Sequence, residues 1–148
     1  MIREIEYEEL KEASDLLWKS FYEAEKNNHS MTGMENFRDL TSPVSLSINT
    51  FDGSVSLYGY YEERLLAVGA VKDQNHILLL YVLPEAQKTG IGARLLSFLE
   101  DQCLPGRITV NSSDGAVLFY LKHGYKAVGV RSVDEELIST PMEKYKSI

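Results

Sequence analysis

Residues 77–96 read ILLLYVLPEAQKTGIGARLL, and the fold turns on how that stretch divides. Ile77 to Leu83 is a run of seven apolar residues without alternation, the pattern of a central strand covered on both faces. Pro84 stops the run, and apolar residues return at helical spacing at Ile91, Leu95, Leu96 and Leu99. A strand, a loop and a helix therefore follow one another, with Gly90 and Gly92 bracketing the helix start and Lys88 and Arg94 adding positive charge. A helix N-terminus exposes up to about four unpaired N–H groups and carries roughly half a positive charge, so such a loop can hold a phosphate. Glycines let the anion reach the backbone without a side chain in the way. The chain lacks Gly-x-x-x-x-Gly-Lys-Ser/Thr; Gly90 comes eight residues after Val82, and Leu95 stands where a dinucleotide fingerprint has its third small residue. Both nucleotide loops are thereby disfavoured, and the plain alternative is a tight loop entering a helix.

Outward from this stretch, Ile2 to Glu6 reads as a strand, and Leu10, Ala13, Leu17, Phe21 and Ala24 predict an amphipathic helix from about Tyr7 to Lys26. A short helix is expected around Met34 to Leu40, while Thr41 to Phe51 carries mixed signals: Ser42-Pro43 suits a helix start and the rest suits a strand. Ser54 to Tyr61 and Arg64 to Val71 read as a hairpin joined at Glu62-Glu63, followed by a polar turn from Lys72 to His76. After the helix, which ends before Pro105-Gly106, come a strand at Arg107 to Asn111 and a helix capped by Asp114 that runs to His123 and stops at Gly124. Two strands, Tyr125 to Val130 and Leu137 to Met142, finish the chain. The expected fold is one α/β domain over residues 1–148, built on a mixed sheet.

Composition narrows the function classes. The 148 residues are 44% hydrophobic with a net charge of −7, ordinary for a globular domain able to bury its own core. Residues 1–50 hold 5 basic and 10 acidic side chains, whereas residues 84–131 hold 6 and 4, so the basic surplus surrounds the glycine loop. Duplex nucleic acid is disfavoured as a partner. Seven apolar residues fall short of the roughly 20 needed to span a bilayer, and the start MIREIEYEEL is acidic where a signal peptide is basic, so no membrane partner and a cytoplasmic location are expected. Cys103 is the only cysteine, and His29, His76 and His123 lie far apart in sequence, which argues against a disulfide or a bound metal. Cys103 reads as a small buried hydrophobe and His29 as a helix-end residue.

The segment QKTGIG directly after an apolar strand resembles the acyl-CoA pyrophosphate loop of the GNAT superfamily of N-acyltransferases. NSSDGAVLFYLKHGYKAVG is similar to that family's next block, and ISTPMEK to its last strand, so the resemblance covers Ile77 to Lys144. It implies a central mixed sheet of about six to seven strands flanked by helices. Acetyl-CoA, as acyl-donor substrate, would lie between two splayed parallel strands, with its pyrophosphate on the amides of Gln87, Lys88, Thr89, Gly90, Ile91 and Gly92. The pantetheine arm would pair with the backbone of Leu80, Tyr81 and Val82 like a false strand, the N–H near Leu80 polarising the thioester carbonyl.

The same resemblance makes Tyr120 the general acid for the departing thiolate, with a core aromatic as the alternative reading, and makes Asn111 a holder of the pantetheine arm, with a strand-end turn residue as the alternative. His76 stands where some members carry a glutamate base; a surface turn, Glu62, Glu63 and a water chain compete with it. Tyr58, Tyr60 and Tyr61 would border a cleft for a cationic acceptor. The implied activity is transfer of an acetyl group to a primary amine by direct attack, without an acyl-enzyme. A catalytically silent acyl-CoA sensor is the rival reading, and a homodimer stays open.

Overall fold

A computed structural model describes residues 1–134 and 137–148. Strand β1 (Ile2–Glu4) is shorter than expected, because Glu6 begins a capped single turn at Tyr7–Glu9 in which Glu9 accepts the Glu6 N–H at 3.0 Å. Helix α1 (Leu10–Glu25) follows and buries Leu10, Ala13, Leu17 and Phe21. The segment with mixed signals is helical: after α2 (Met31–Leu40), the Ser42 hydroxyl accepts the Ser45 N–H at 3.2 Å and Pro43 sits in the first turn of α3 (Pro43–Phe51). The hairpin β2 (Val55–Glu62) and β3 (Arg64–Lys72) turns without glycine because Glu63 itself adopts φ 58°.

Strand β4 (His76–Val82) leads through a single turn at Pro84–Ala86 into α4 (Ile91–Gln102) and β5 (Gly106–Ser112). The N-cap of the next turn is Ser113 and not Asp114, whose carboxylate is taken up by Arg131 at 2.9 Å; α5 then covers only Val117–Lys122. Gly124, at φ 92°, ends it as expected. The Tyr125–Val130 strand shrinks to β6 (Lys126–Ala127). Its ladder against β8 reaches Met142, the next residue on β8 is Pro141, which has no N–H to give, and Gly129 is pressed close to the Pro141 ring. A strand missed in the sequence, β7 (Ser132–Asp134), pairs with β8 (Leu137–Lys146), which extends well past Met142.

The eight strands, one more than the upper expectation, form a mixed sheet in the order β1-β2-β3-β4-β5-β8-β6, with β7 also on β8. All neighbours are antiparallel except β4 and β5, which pair in parallel at only two positions, His76 with Thr109 and Ile77 with Val110. Beyond Ile77 the two strands part. The apolar run is therefore not covered on both faces: Leu78 is 39% exposed, and Leu80, Tyr81 and Val82 are half-buried, because β5 no longer closes the sheet on their far side from β3. Among the described residues no helix is long and apolar enough to cross a membrane.

Helix α4 is seated tightly on β3. A side chain at Gly69 would place its Cβ 2.8 Å from Leu99 Cδ1 and 3.3 Å from Leu95 Cδ2, so the missing side chain is what lets the helix and its loop approach the sheet. Leu95 and Leu99 are fully buried there and cannot swing away into solvent. Gly69→Ala is expected to destabilise the fold by about 1–3 kcal/mol through overpacking, read as a lowered urea midpoint at unchanged slope. An unaltered midpoint would mean that α4 can withdraw freely.

Candidate functional site

Where β4 and β5 part, the sheet opens into a cleft of about 750 Å³. Its walls come from Leu78 and Leu80 on β4, Asn111 and Ser112 on β5, Phe119 and Tyr120 on α5, and Ser20 and Glu25 on α1. The loop between β4 and α4 closes one end with Gln87, Lys88 and Gly90. The β5-facing edge of β4 has no ladder partner from Leu78 onward, which leaves backbone donors and acceptors free to pair with an extended ligand.

The loop is shaped from within. Gly90 is the α4 N-cap at φ 84°, with open space around the position a Cβ would take, so conformation and not crowding calls for glycine there. Lys88 also adopts a left-handed φ of 64°. Thr89 donates its hydroxyl to the Ala86 carbonyl at 2.6 Å, and Gln87 donates its side-chain amide to the Val82 carbonyl at 3.1 Å. The first backbone bond of α4 is made by the Arg94 N–H to the Gly90 carbonyl at 3.1 Å, so the amides of Ile91, Gly92 and Ala93 precede it and remain available. Gly92 borders the cleft, but a Cβ there would find only ordinary contacts of 3.6–3.7 Å with Phe119 and Val82. Thr89 and Ile91 face a second, smaller hollow shared with Glu62 and Arg64, and Ile91 is buried as an anchor.

Tyr120 is 5% exposed in the cleft wall, its ring edge-on to Phe119 and to Tyr125, each at 5.3 Å. Burial, and secondarily the neighbouring Tyr81, push its phenol well above the ordinary tyrosine range, so it stays protonated through neutral pH. Its hydroxyl has no hydrogen-bond partner among the described residues. A protonated, unpartnered O–H in a cleft can donate to a ligand. Tyr81 turns its ring toward Phe21 and Phe37, at 6.3 and 5.5 Å, and burial together with the Glu25 charge pushes its phenol up as well.

Other expected residues lie elsewhere. His76 is at the start of β4, its Nδ1 2.7 Å from the Thr109 hydroxyl, and is not part of the cleft wall; burial and the Lys72 charge lower its pKa. Tyr58 and Tyr60 do not border the cleft either: the β2 face they share is covered by α4, with Tyr58 packed on Phe98 at 5.0 Å and Tyr60 beneath Arg94 at 5.5 Å. Tyr61, on the far side of a bulge, is held between Arg3 and Glu9. Arg3 in turn holds the Glu9 carboxyl down at about 2. Cys103 is buried, with its thiol pushed up by desolvation and its Sγ 3.4 Å from the Leu99 carbonyl. Among the described residues no group of three His, Cys, Asp or Glu side chains is placed to hold a metal ion.

The sequence reading missed Ser20, Glu25 and His29. Glu25 is 1% exposed although it carries a carboxylate, and neither its Oε1 nor the Ser20 hydroxyl has a hydrogen-bond partner among the described residues. The signal was there: Leu17, Phe21, Glu25 and His29 follow one another at intervals of four, so an acid occupies the apolar stripe of α1.

Residues 22–146 match the family model described as the acetyltransferase (GNAT) domain. No curated protein matches the chain by sequence. Among solved structures, a GCN5-related N-acetyltransferase from Rhodopseudomonas palustris aligns with TM-score 0.86 at 21% identity over 98% of this chain and 94% of that one. The PaiA N-acetyltransferase of Thermoplasma acidophilum, in complex with coenzyme A, aligns with TM-score 0.78 at 19% identity over 98% of both chains. A phosphinothricin acetyltransferase from Sinorhizobium meliloti, in complex with acetyl-CoA, gives TM-score 0.68 at 15% identity over 99% of this chain and 88% of that one. With the family model spanning most of the chain and the split sheet, glycine loop and helix N-terminus all in place, the chain belongs to the GNAT family of acetyltransferases.

Proposed function

We propose that this protein moves an acetyl group from acetyl-CoA to a primary amine by direct attack within a ternary complex. The observation that carries the reading is the parting of β4 from β5 after Ile77, which leaves a free strand edge leading to the free amides of α4. The pyrophosphate of acetyl-CoA takes the loop from Gln87 to Gly92, where three unbonded amides and the helix dipole replace its water. The pantetheine arm lies along Leu80 to Val82, its two amides completing the strand edge, with Asn111 on the opposite wall. Structures of similar fold in complex with coenzyme A and with acetyl-CoA support this placement of the donor.

In the reaction the amine, its ammonium proton passed to water, attacks the thioester carbon and a C–N bond forms; the proton the nitrogen then sheds returns through water to Tyr120 after that phenol has protonated the sulfur. The Leu80 N–H steadies the oxyanion, the C–S bond breaks, and Tyr120 gives its proton to the leaving sulfur. A phenol whose pKa is raised keeps its proton until sulfur needs it. His76 is left out of this sequence because it is bonded to Thr109 and stands outside the cleft wall. The enzyme's main contribution is alignment of the two substrates, an effect that can supply about 7–11 kcal/mol of barrier lowering.

The test is calorimetry with acetyl-CoA together with thiol release against a panel of amines and peptides; binding without release of thiol from any acceptor would favour the sensor reading. Gly90→Val is expected to weaken acetyl-CoA binding about tenfold or more, because a β-branched residue resists φ 84°. Unchanged affinity would move the pyrophosphate off this loop. Tyr120→Phe is expected to lower kcat about 100-fold or more while the acetyl-CoA Kd stays within about twofold. Because the Tyr120 pKa is raised, its protonated form persists as pH rises, so the wild-type rate should not decline between about pH 7 and 9 on its account.

A further inference from the structure

The α1 wall of the cleft holds a buried carboxyl oxygen that no group among the described residues bonds. Glu25 Oε2 accepts the Asn28 amide at 3.3 Å and faces His29 Nδ1 at 3.5 Å, while Oε1 is buried and unpartnered at the cleft wall. His29 Nε2 accepts the backbone N–H of Ile138 at 3.0 Å, so that nitrogen is engaged with β8 and only Nδ1, itself buried without a hydrogen-bond partner, faces the carboxyl group. Lys26 pairs with Glu23 at 3.6 Å and Arg131 with Asp114 at 2.9 Å, while the lysines of the cleft lining, Lys88 and Lys122, come from the loop and from the last turn of α5. Glu25 is also the last residue of a 16-residue helix, whose C-terminal carbonyls add negative potential at the same place.

A buried anion without a counter-charge is costly unless a ligand completes it. The surroundings specify that ligand. Ser20 offers a second unpartnered oxygen, and Ala24 and Gly115 border the same space with small side chains, a Cβ at Gly115 lying only 4.0 Å from Glu25 Oε1. We propose that Glu25 is the ammonium-binding residue of the acceptor subsite, with Ser20 as its companion, and that the acceptor is a small primary alkylamine entering as a cation. This rests on reading the cleft as an acetyl-transfer site, with the donor at the loop end and the acceptor at the α1 end. Amines carrying a carboxylate beside the nitrogen are selected against, since that group would face Glu25 and the helix terminus.

The experiment is a ligand-observed NMR titration of the coenzyme A-saturated protein with n-butylamine and, as its neutral counterpart, 1-butanol. Wild-type protein is expected to bind n-butylamine at least tenfold more tightly than 1-butanol, and Glu25→Gln to erase most of that preference while the acetyl-CoA Kd stays within about twofold. Equal binding of the two ligands by wild-type protein would overturn the proposal without reference to any variant, as would an undiminished preference in folded Glu25→Gln. Ser20→Ala, which keeps the charge, is expected to reduce the preference only partly. Repeating the titration without coenzyme A separates the two claims: if acetyl-CoA does not bind, the transferase reading fails, while the amine preference still decides the role of Glu25.

Discussion

Two rungs of parallel ladder are the constraint on which the rest of the site depends. His76 with Thr109 and Ile77 with Val110 tie β4 to β5; one residue further on, the strands separate. Had the pairing continued, the edge groups of Leu78 to Val82 would be spent on β5 and the apolar run would be a sealed core strand. Because it stops, the sheet carries an internal gap whose lining includes both the amino end of α4 and the carboxyl end of α1. Gly69 adds the second condition, since close seating of α4 fixes where those free amides point.

The two helix termini that line the gap have opposite electrostatic character. At the loop, left-handed residues and the start of a helix offer N–H groups and positive potential, suited to a diphosphate. At Glu25 a helix ends and a carboxylate lies buried, which suits a cation. Tyr120 stands in the wall as a phenol that keeps its proton. A reaction that joins an anionic donor to a cationic acceptor would find each substrate drawn to its own end, so the order of the fold also fixes their orientation.

Much of this was legible in the chain because the signals were local. The run from Ile77 to Leu83, Pro84, the paired glycines and the spacing of Leu95 and Leu99 each act within a few residues, and the strand, loop and helix lie as read. What escaped were properties set by distant partners. Exposure of Leu78 depends on where β5 turns away. The loss of most of the Tyr125–Val130 strand depends on Pro141, and the cover over Tyr58 and Tyr60 depends on which face α4 takes. The α3 segment was open in the sequence, Ser42-Pro43 suiting a helix start and the rest of Thr41 to Phe51 a strand, and the helix start prevails. Glu25 was readable as an acid in an apolar stripe, yet its lack of partners is a fact of three dimensions.

The bond from Ile138 to His29 has a mechanical side. Helix α1, from which His29 extends, lies against β3 and β4, while Ile138 belongs to β8 on the opposite bank of the split. That bond joins the two banks of the split, alongside the packing of α2 on β8. Any widening that carries β8 away from α1 has to stretch it, so an imidazole nitrogen couples the acceptor-side helix to the far strand.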